Sequence, residues 1–380
     1  PSTSGNDVKF GSHKRMTING IIIGAFNTTN LHTIAVTGSG GSTAGVGIAT
    51  VTVVEKARSQ AVINDNAKIN QGSRTGAHQQ SSVHVIASND TVESVSGGAA
   101  SGGGTAGVSG AVVVYTGIKE TTARIGDGAQ VKAENAIVVL AHSDNQIYAN
   151  VVGAAVSVIV LQDTTTASVG GSLTANAITV KAESNELLEL SATAFQAAGT
   201  AAVGASVGTI VFKGKTFAIV RPGTTLTAAN GNIIVYADSK EKVIMTVLGG
   251  GAGGTAAVNG SFAVLVMNVT TQAKVEDGTS GNGSSLSAAK GSVTVKATDT
   301  TDLNLNTGNV TAGGAAAVGA AIEVAVYRNT VTAMIGNYNT VTAKSILVQA
   351  IADRDIQAAA VMASASGTAR INGSILVLSI

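Results

Sequence analysis

The side chains able to do chemistry are few and poorly grouped. The five histidines are His13, His32, His78, His84 and His142. No two stand at a spacing that would put both imidazoles on one helix face around a metal. His84 sits at an outward position of an alternating run, where a surface imidazole is expected. Carboxylates are denser: Glu183, Glu186, Glu189, Asp238, Glu241, Asp299, Asp302, Asp353 and Asp355 gather at one place in a recurring pattern. Several oxygens together could hold Ca²⁺. They alternate with Lys240, Lys242 and Arg354 and shift between copies, which reads instead as a solvated polar corner.

Glycine-rich tracts such as 38–43 invite a phosphate-loop reading, but no lysine follows in the required place. The tract recurs as Gly104-Thr-Ala106, Gly199-Thr-Ala201, Gly254-Thr-Ala256 and Gly367-Thr-Ala369, so it belongs to an architecture. Cysteine is absent, which removes thiolate nucleophiles and thiolate zinc sites. No nucleophile elbow of the GxSxG kind occurs. The expectation is therefore a non-enzyme with no catalytic, cofactor-binding or metal residue.

Composition points the same way. Among 380 residues there are 47 Gly but only 2 Pro, no Trp and a net charge of +1. Charged residues make up 12 %, about half the usual share. A nucleic-acid binder would carry a basic excess, and a disordered chain many more charges. Hydrophobic residues reach 44 %, with a mean hydropathy of +0.33. The longest apolar run, 197–212, is interrupted by Gly and Ser and falls short of a membrane span. Aromatics at 3 % are too few for the girdles of an outer-membrane barrel. Residues 1–10 have no basic segment leading into an apolar one, so a signal peptide is not expected there.

An internal repeat must position whatever the chain displays. Val46, Val108, Val152, Val203, Val258, Val318 and Ile371 each open an alternating run of eight or nine residues, as in Val203-Gly-Ala-Ser-Val-Gly-Thr-Ile-Val211. Period-2 alternation predicts a long strand with one apolar face. Three residues after each anchor stands only Ala or Ser: Ala49, Ala111, Ala155, Ser206, Ser261, Ala321 and Ser374. A column of tiny side chains implies another layer close by, so the strand is expected to be covered on both sides near its start. Fifteen residues after the complete anchors comes Ala61, Ala123, Ala167, Ala218, Ala273 or Ala333, then turn chemistry such as Gly126-Asp-Gly128 or Arg221-Pro-Gly223. A further strand follows with the strictest pattern, as in Ile178-Thr-Val-Lys-Ala182 and Ile346-Leu-Val-Gln-Ala350.

This organisation predicts an all-β fold: a repetitive β-solenoid, parallel β-helix-like, forming a rod of about seven imperfect repeats of 44–62 residues. Residues 46–370 hold six full repeats, 1–45 an N-terminal partial repeat and 371–380 a C-terminal one. With two coils per repeat the rod would be roughly 60–70 Å long at about 4.8 Å per stacked strand; one wide coil per repeat is the alternative. Joining Ile380 to Pro1 of a second copy would place the next Val46 one ordinary repeat beyond Ile371. That closure suggests copies stacking head to tail through Ile371, Gly373, Ile375, Val377 and Ile380 at one end and Val8, Phe10, Ile21, Ile23 and Ala25 at the other. A segment cut from a longer array is the alternative.

The motifs Gly199-Thr-Ala-Ala-Val-Gly-Ala-Ser-Val207 and Ile178-Thr-Val-Lys-Ala182 resemble repeats of very large secreted bacterial surface proteins, the filamentous-haemagglutinin-like and leukotoxin-like filamentous adhesins. The resemblance spans residues 21–380. It implies an extracellular parallel β-helix at the bacterial cell surface with an adhesive or structural role, and it carries over no catalytic residue. The Asn-Pro-rich secretion domain that opens such proteins is not among these residues. Expected partners are further copies of the chain and a host or neighbouring-cell surface, with no cofactor, nucleic acid or membrane span. The competing class is a β-helix enzyme acting on polysaccharide, or a stalk within a giant adhesin. An enzyme of that kind would show paired carboxylates in one deep groove.

Overall fold

In the computed structural model, residues 6–10, 14–42, 44–71, 81–103 and 106–380 are described. His13, His78 and Thr105 lie outside them. The chain opens with β1 (Asn6–Phe10) and β2 (Lys14–Ile18), an antiparallel pair. Long strands then alternate with short ones: β3 (Gly20–Gly41), β4 (Ala44–Ile63), β5 (Lys68–Ile69), β6 (Ser82–Gly103), β7 (Ala106–Ile125), β8 (Gln130–Lys132) and β9 (Ala136–Val152). The pattern continues through β10 (Ala154–Val169), β11 (Ser172–Ala175), β12 (Ala177–Ala198), β13 (Ala201–Val220), β14 (Thr225–Ala228) and β15 (Ile233–Gly253). It finishes with β16 (Ala256–Val275), β17 (Ser285–Gly313), β18 (Ala316–Ile335), β19 (Thr340–Ser366) and β20 (Ala369–Ser379).

Every pairing after the first hairpin is parallel. The strands that carry or follow the anchors form a seven-stranded sheet in the order β20-β18-β16-β13-β10-β7-β4; Val152 alone does not open its strand, since it ends β9 beside Thr193 in the other sheet and β10 begins at Ala154. The remaining strands build an eleven-stranded sheet, in which β3, β6, β9, β12, β15, β17 and β19 pair in succession and the short strands form a row of their own. The architecture is thus all-β and solenoid-like. Equivalent residues pair directly: Val203 lies beside Val258, and Ala182 beside Ala237. Each anchored strand therefore neighbours the next, so one wide coil, not two, corresponds to each sequence interval. The seven-stranded sheet is only about 34 Å across at 4.8 Å per strand.

The interior has two apolar compartments. One gathers Ile137, Val139 and Ala141 with their in-register equivalents, the short-strand leucines Leu173, Leu226 and Leu286, and the alanines Ala123, Ala167 and Ala218. The other lies between the two large sheets and includes Val113, Tyr115, Leu188, Leu190, Phe212 and Met245.

The anchor face departs from the reading above. The tiny column points inward: Ser206 and Ser261 are fully buried, and Ser261 Oγ donates to the Gly308 carbonyl of the opposing sheet at 2.8 Å. Val46, Val203, Val258 and Ile371 point outward and are uncovered, with Val203 71 % and Val46 63 % exposed. The strand is thus covered on one side, and the close approach occurs on the small-residue side. Gly208 marks it, since a Cβ there would stand 2.5 Å from Val247 Cγ2 and 2.8 Å from Leu190 Cδ2.

Turns stack as the strands do. Gly128, Gly171 and Gly223 adopt φ of +66°, +79° and +69° after successive anchored strands. Gly171 leaves no room for a side chain, because a Cβ would collide with the Ala129 backbone. Gly171→Ala is expected to cost about 1–3 kcal/mol or more, read as a lowered urea midpoint. Gly110→Ala, with open space around its Cβ, is the control expected to leave the midpoint unchanged.

Candidate functional site

Two features stand out: a polar seam inside the solenoid and an apolar sheet face outside it. The seam runs between the two apolar compartments. In the eleven-stranded sheet, Asn89, Ser143, Ser184, Ser239 and Asp299 are register partners, and so are Thr91, Asn145, Glu186, Glu241 and Thr301. The facing strands contribute Lys119, Asp163, Thr165, Thr271 and Asn329. Alternation puts these residues on the inner faces between apolar neighbours, so their polar atoms must satisfy one another.

At one end of the seam a buried cation is shared. Lys119 Nζ donates to Thr91 Oγ1 at 3.0 Å, forms an ion pair with Glu55, and lies 3.6 Å from Glu93 Oε1. Tyr115 OH donates to Glu55 Oε2 at 3.2 Å. Burial pulls the Lys119 ammonium down to about 8, against the favourable fields of Asp163 and Glu186. Burial pushes Glu93 up to about 7.

Further along, hydroxyls bridge carboxyl groups. Ser184 Oγ lies 3.2 Å from Asp163 Oδ2 and 2.9 Å from Glu186 Oε1. Ser143 Oγ donates to Asp163 Oδ1 at 3.1 Å, and Asn145 Nδ2 donates to Glu186 Oε1 at 3.1 Å. Thr301 Oγ1 lies 3.2 Å from Glu241 Oε2, 3.1 Å from Asp299 Oδ1 and 2.7 Å from Tyr327 OH. A hydroxyl carries one proton. Ser184 can donate to only one of its two carboxyl groups, so the second contact is filled when that group is itself protonated. Burial raises Asp163, Glu186, Glu241 and Asp299, and the Asp163 charge raises Glu186 further.

The acidic corner read from the sequence therefore splits. Glu186, Glu241 and Asp299 are interior, and Glu183 and Asp238 are also buried. Asp353 and Asp355 are exposed. The solvated-corner reading fails for the first group because three successive residues, 182–184 and 237–239, are buried there, and beyond them every second residue faces the seam. His84 is likewise not a surface imidazole: it is buried near a small cluster of Ile86 and Leu140, and burial lowers it to about 4. Among the described residues, no three metal-ligating side chains converge. A recess of about 330 Å³ on the outer face of the eleven-stranded sheet is lined by Asp144, Asn185, Lys240, Lys242 and Asp302, and Lys242 pairs with Asp302 at 3.2 Å.

The residues expected at subunit contacts are distributed as follows. Ile371, Gly373, Ile375 and Val377 face outward on β20, and Ile380 follows it, also exposed. Ile21, Ile23 and Ala25 are half-buried and pack on the core of their own chain through β3. Val8 and Phe10 lie on β1, opposite Met16 and Lys14, and their side chains fall outside the described residues. Sequence reasoning missed the inward residues of the last coil: Val348, Leu376 and Leu378 point as core residues do, yet remain 41–45 % exposed, since β19 and β20 each have one strand neighbour.

No helix of the described residues is long and apolar enough to cross a membrane. No family model, curated protein or solved structure matches the chain.

Proposed function

We propose that this chain is a non-catalytic, rod-forming structural protein of about seven repeats, an extracellular or bacterial cell-surface filament or adhesive component. Its terminal coils act as templates for a further coil contributed by another copy, head to tail. One observation carries the reading: the last coil presents core-type side chains, Val348, Leu376 and Leu378, beside unpaired strand edges. Such edges favour pairing with an added strand. A contact joining unlike ends does not close on itself and generates a filament. The adhesin-like repeats noted in the sequence support the extracellular setting.

Negative-stain microscopy over a concentration series tests it. Rods several times longer than one subunit are expected for the unaltered chain. Leu376→Glu combined with Val348→Glu, which places charge on the stacking end, is expected to leave single short particles. Only short particles from the unaltered chain at high concentration would sink the stacking, and leave a stalk segment as the better account.

A further inference from the structure

The outer face of the seven-stranded sheet carries a continuous uncharged block. From each anchor to the eighth residue beyond it, every described outward side chain is Val, Ile, Phe, Ala, Thr, Ser or Gly. No charge interrupts this block on any of the seven strands. Val46, Val203, Val258, Phe262 and Ile371 are among its exposed members. Exposed apolar patches beyond a few hundred Å² mark interaction surfaces. Seven strands at ~4.8 Å and eight steps of ~3.3 Å give roughly 900 Å². Two such faces together would bury about 1,800 Å², the size of a stable specific interface.

We propose that this face is covered by the same face of a second copy, in a two-fold pair of parallel rods. The proposal is independent of head-to-tail stacking, because it uses the outward residues and not the coil ends. A flat lattice of β-branched side chains matches an identical lattice, as in sheet-on-sheet packing about 10 Å apart. Charge selects the orientation. Ten residues past the anchor stand Lys56, Lys213 and Arg328, with no carboxylate in that column. Twelve past it, Arg58 pairs with Glu120 at 3.2 Å and Lys215 adds another cation. The opposite border is the neutral Gly-Thr-Ala corner, for instance 199–201. A two-fold axis along the strands would set cation over cation. An axis along the rod sets each basic border over the neutral corner of the other copy, and like-charge contact is avoided. The rods then point the same way with their strands antiparallel, and Ala201 lies across from Lys213 of the second copy.

Sedimentation equilibrium on the 380-residue chain tests the pair, with Leu376→Glu and Val348→Glu present to suppress end-stacking. A closed dimer is expected. Val203→Lys with Phe262→Lys, both exposed and so tolerated by the fold, is expected to weaken it at least 100-fold while circular dichroism stays unchanged. Ala201→Glu is expected to tighten the dimer about 2–5-fold and Ala201→Lys to weaken it by a similar factor. A monomer up to ~0.2 mM, or a dimer indifferent to the Val203 and Phe262 changes, would overturn the proposal. So would a monomer that instead co-sediments with phosphatidylcholine vesicles. Equal effects from both Ala201 variants would overturn the orientation.

Discussion

Replacing Lys119 by Met is expected to remove about 3–5 kcal/mol of stability, the usual cost of breaking a buried ion pair from one side. The side chain is fully buried and serves several groups at once. Its ammonium donates to Thr91 Oγ1, pairs with Glu55 and faces Glu93 Oε1 at 3.6 Å. Asp163 is its register partner on β10, so a second acidic residue stands in the adjacent coil. Methionine keeps the stem and deletes the charge, leaving these carboxylates without a counterion between two apolar compartments. The loss should be read as a fall in the urea midpoint of the whole chain or of the coils around β7. Glu93→Gln added to Lys119→Met should recover more than half, because it removes the carboxylate that burial already holds up at about 7. A Lys119→Met variant within about 1 kcal/mol of the parent would show that the carboxyl groups there are satisfied by their own protons, and that the lysine is dispensable.

The residues that decide this result were poorly legible in sequence, while the coil around them was plain. The Ile178, Val180, Ala182 column recurs without exception, and the five copies from β6 to β17 bury it against the short strands. The anchor column recurs as well, yet faces out. An offset of fifteen residues separates each anchor from its buried alanine, and an odd offset puts the two on opposite faces of a strand. That parity pairs the alanine with the tiny Ala/Ser column, and assigns both to the interior. Apolar character alone misled, since an outward face meant for burial elsewhere looks like a core face. The seam was hidden for another reason. Its columns change residue type between coils, from Ser239 to Asp299 and from Asn145 to Glu186, so only in-register stacking brings them into one line. Asp163 and Ser184 meet across two strands that belong to different sheets. Nothing in local spacing announces such a contact. Coil width was similarly ambiguous until the pairing of Val203 with Val258 excluded an intervening coil.

Acidification from pH 8 to about 5.5 is expected to stabilise the chain, the reverse of ordinary acid denaturation. A carboxyl group whose folded pKa lies above its unfolded value binds more protons when folded. Its stabilising contribution is complete below the unfolded pKa and is lost as pH rises through the folded one. For Glu93 that window runs from 4.5 to about 7. Asp163, Glu186, Glu241 and Asp299 shift the same way, all chiefly by burial. The hydroxyl geometry gives independent support, for Ser184 and Thr301 each touch two carboxyl groups with one proton to give. Two groups work against the trend in their own ranges. His84, held at about 4 by burial, stays neutral when folded, so its contribution falls away as pH drops from 6.5 toward 4. Lys119, lowered to about 8, makes stability rise with pH between 8 and 10.5. The raised carboxyl groups outnumber His84, so the optimum should fall near pH 5–6 and stability should decline toward pH 8. Urea midpoints at pH 5.5, 7 and 8 measure it. Glu186→Gln with Glu241→Gln keeps shape and most hydrogen bonds while removing both titrations, so it should raise the pH 8 midpoint and flatten the profile. A parent profile that instead rises from pH 5.5 to 8, or a double variant less stable than the parent at pH 8, would mean that the seam holds its carboxylates ionised.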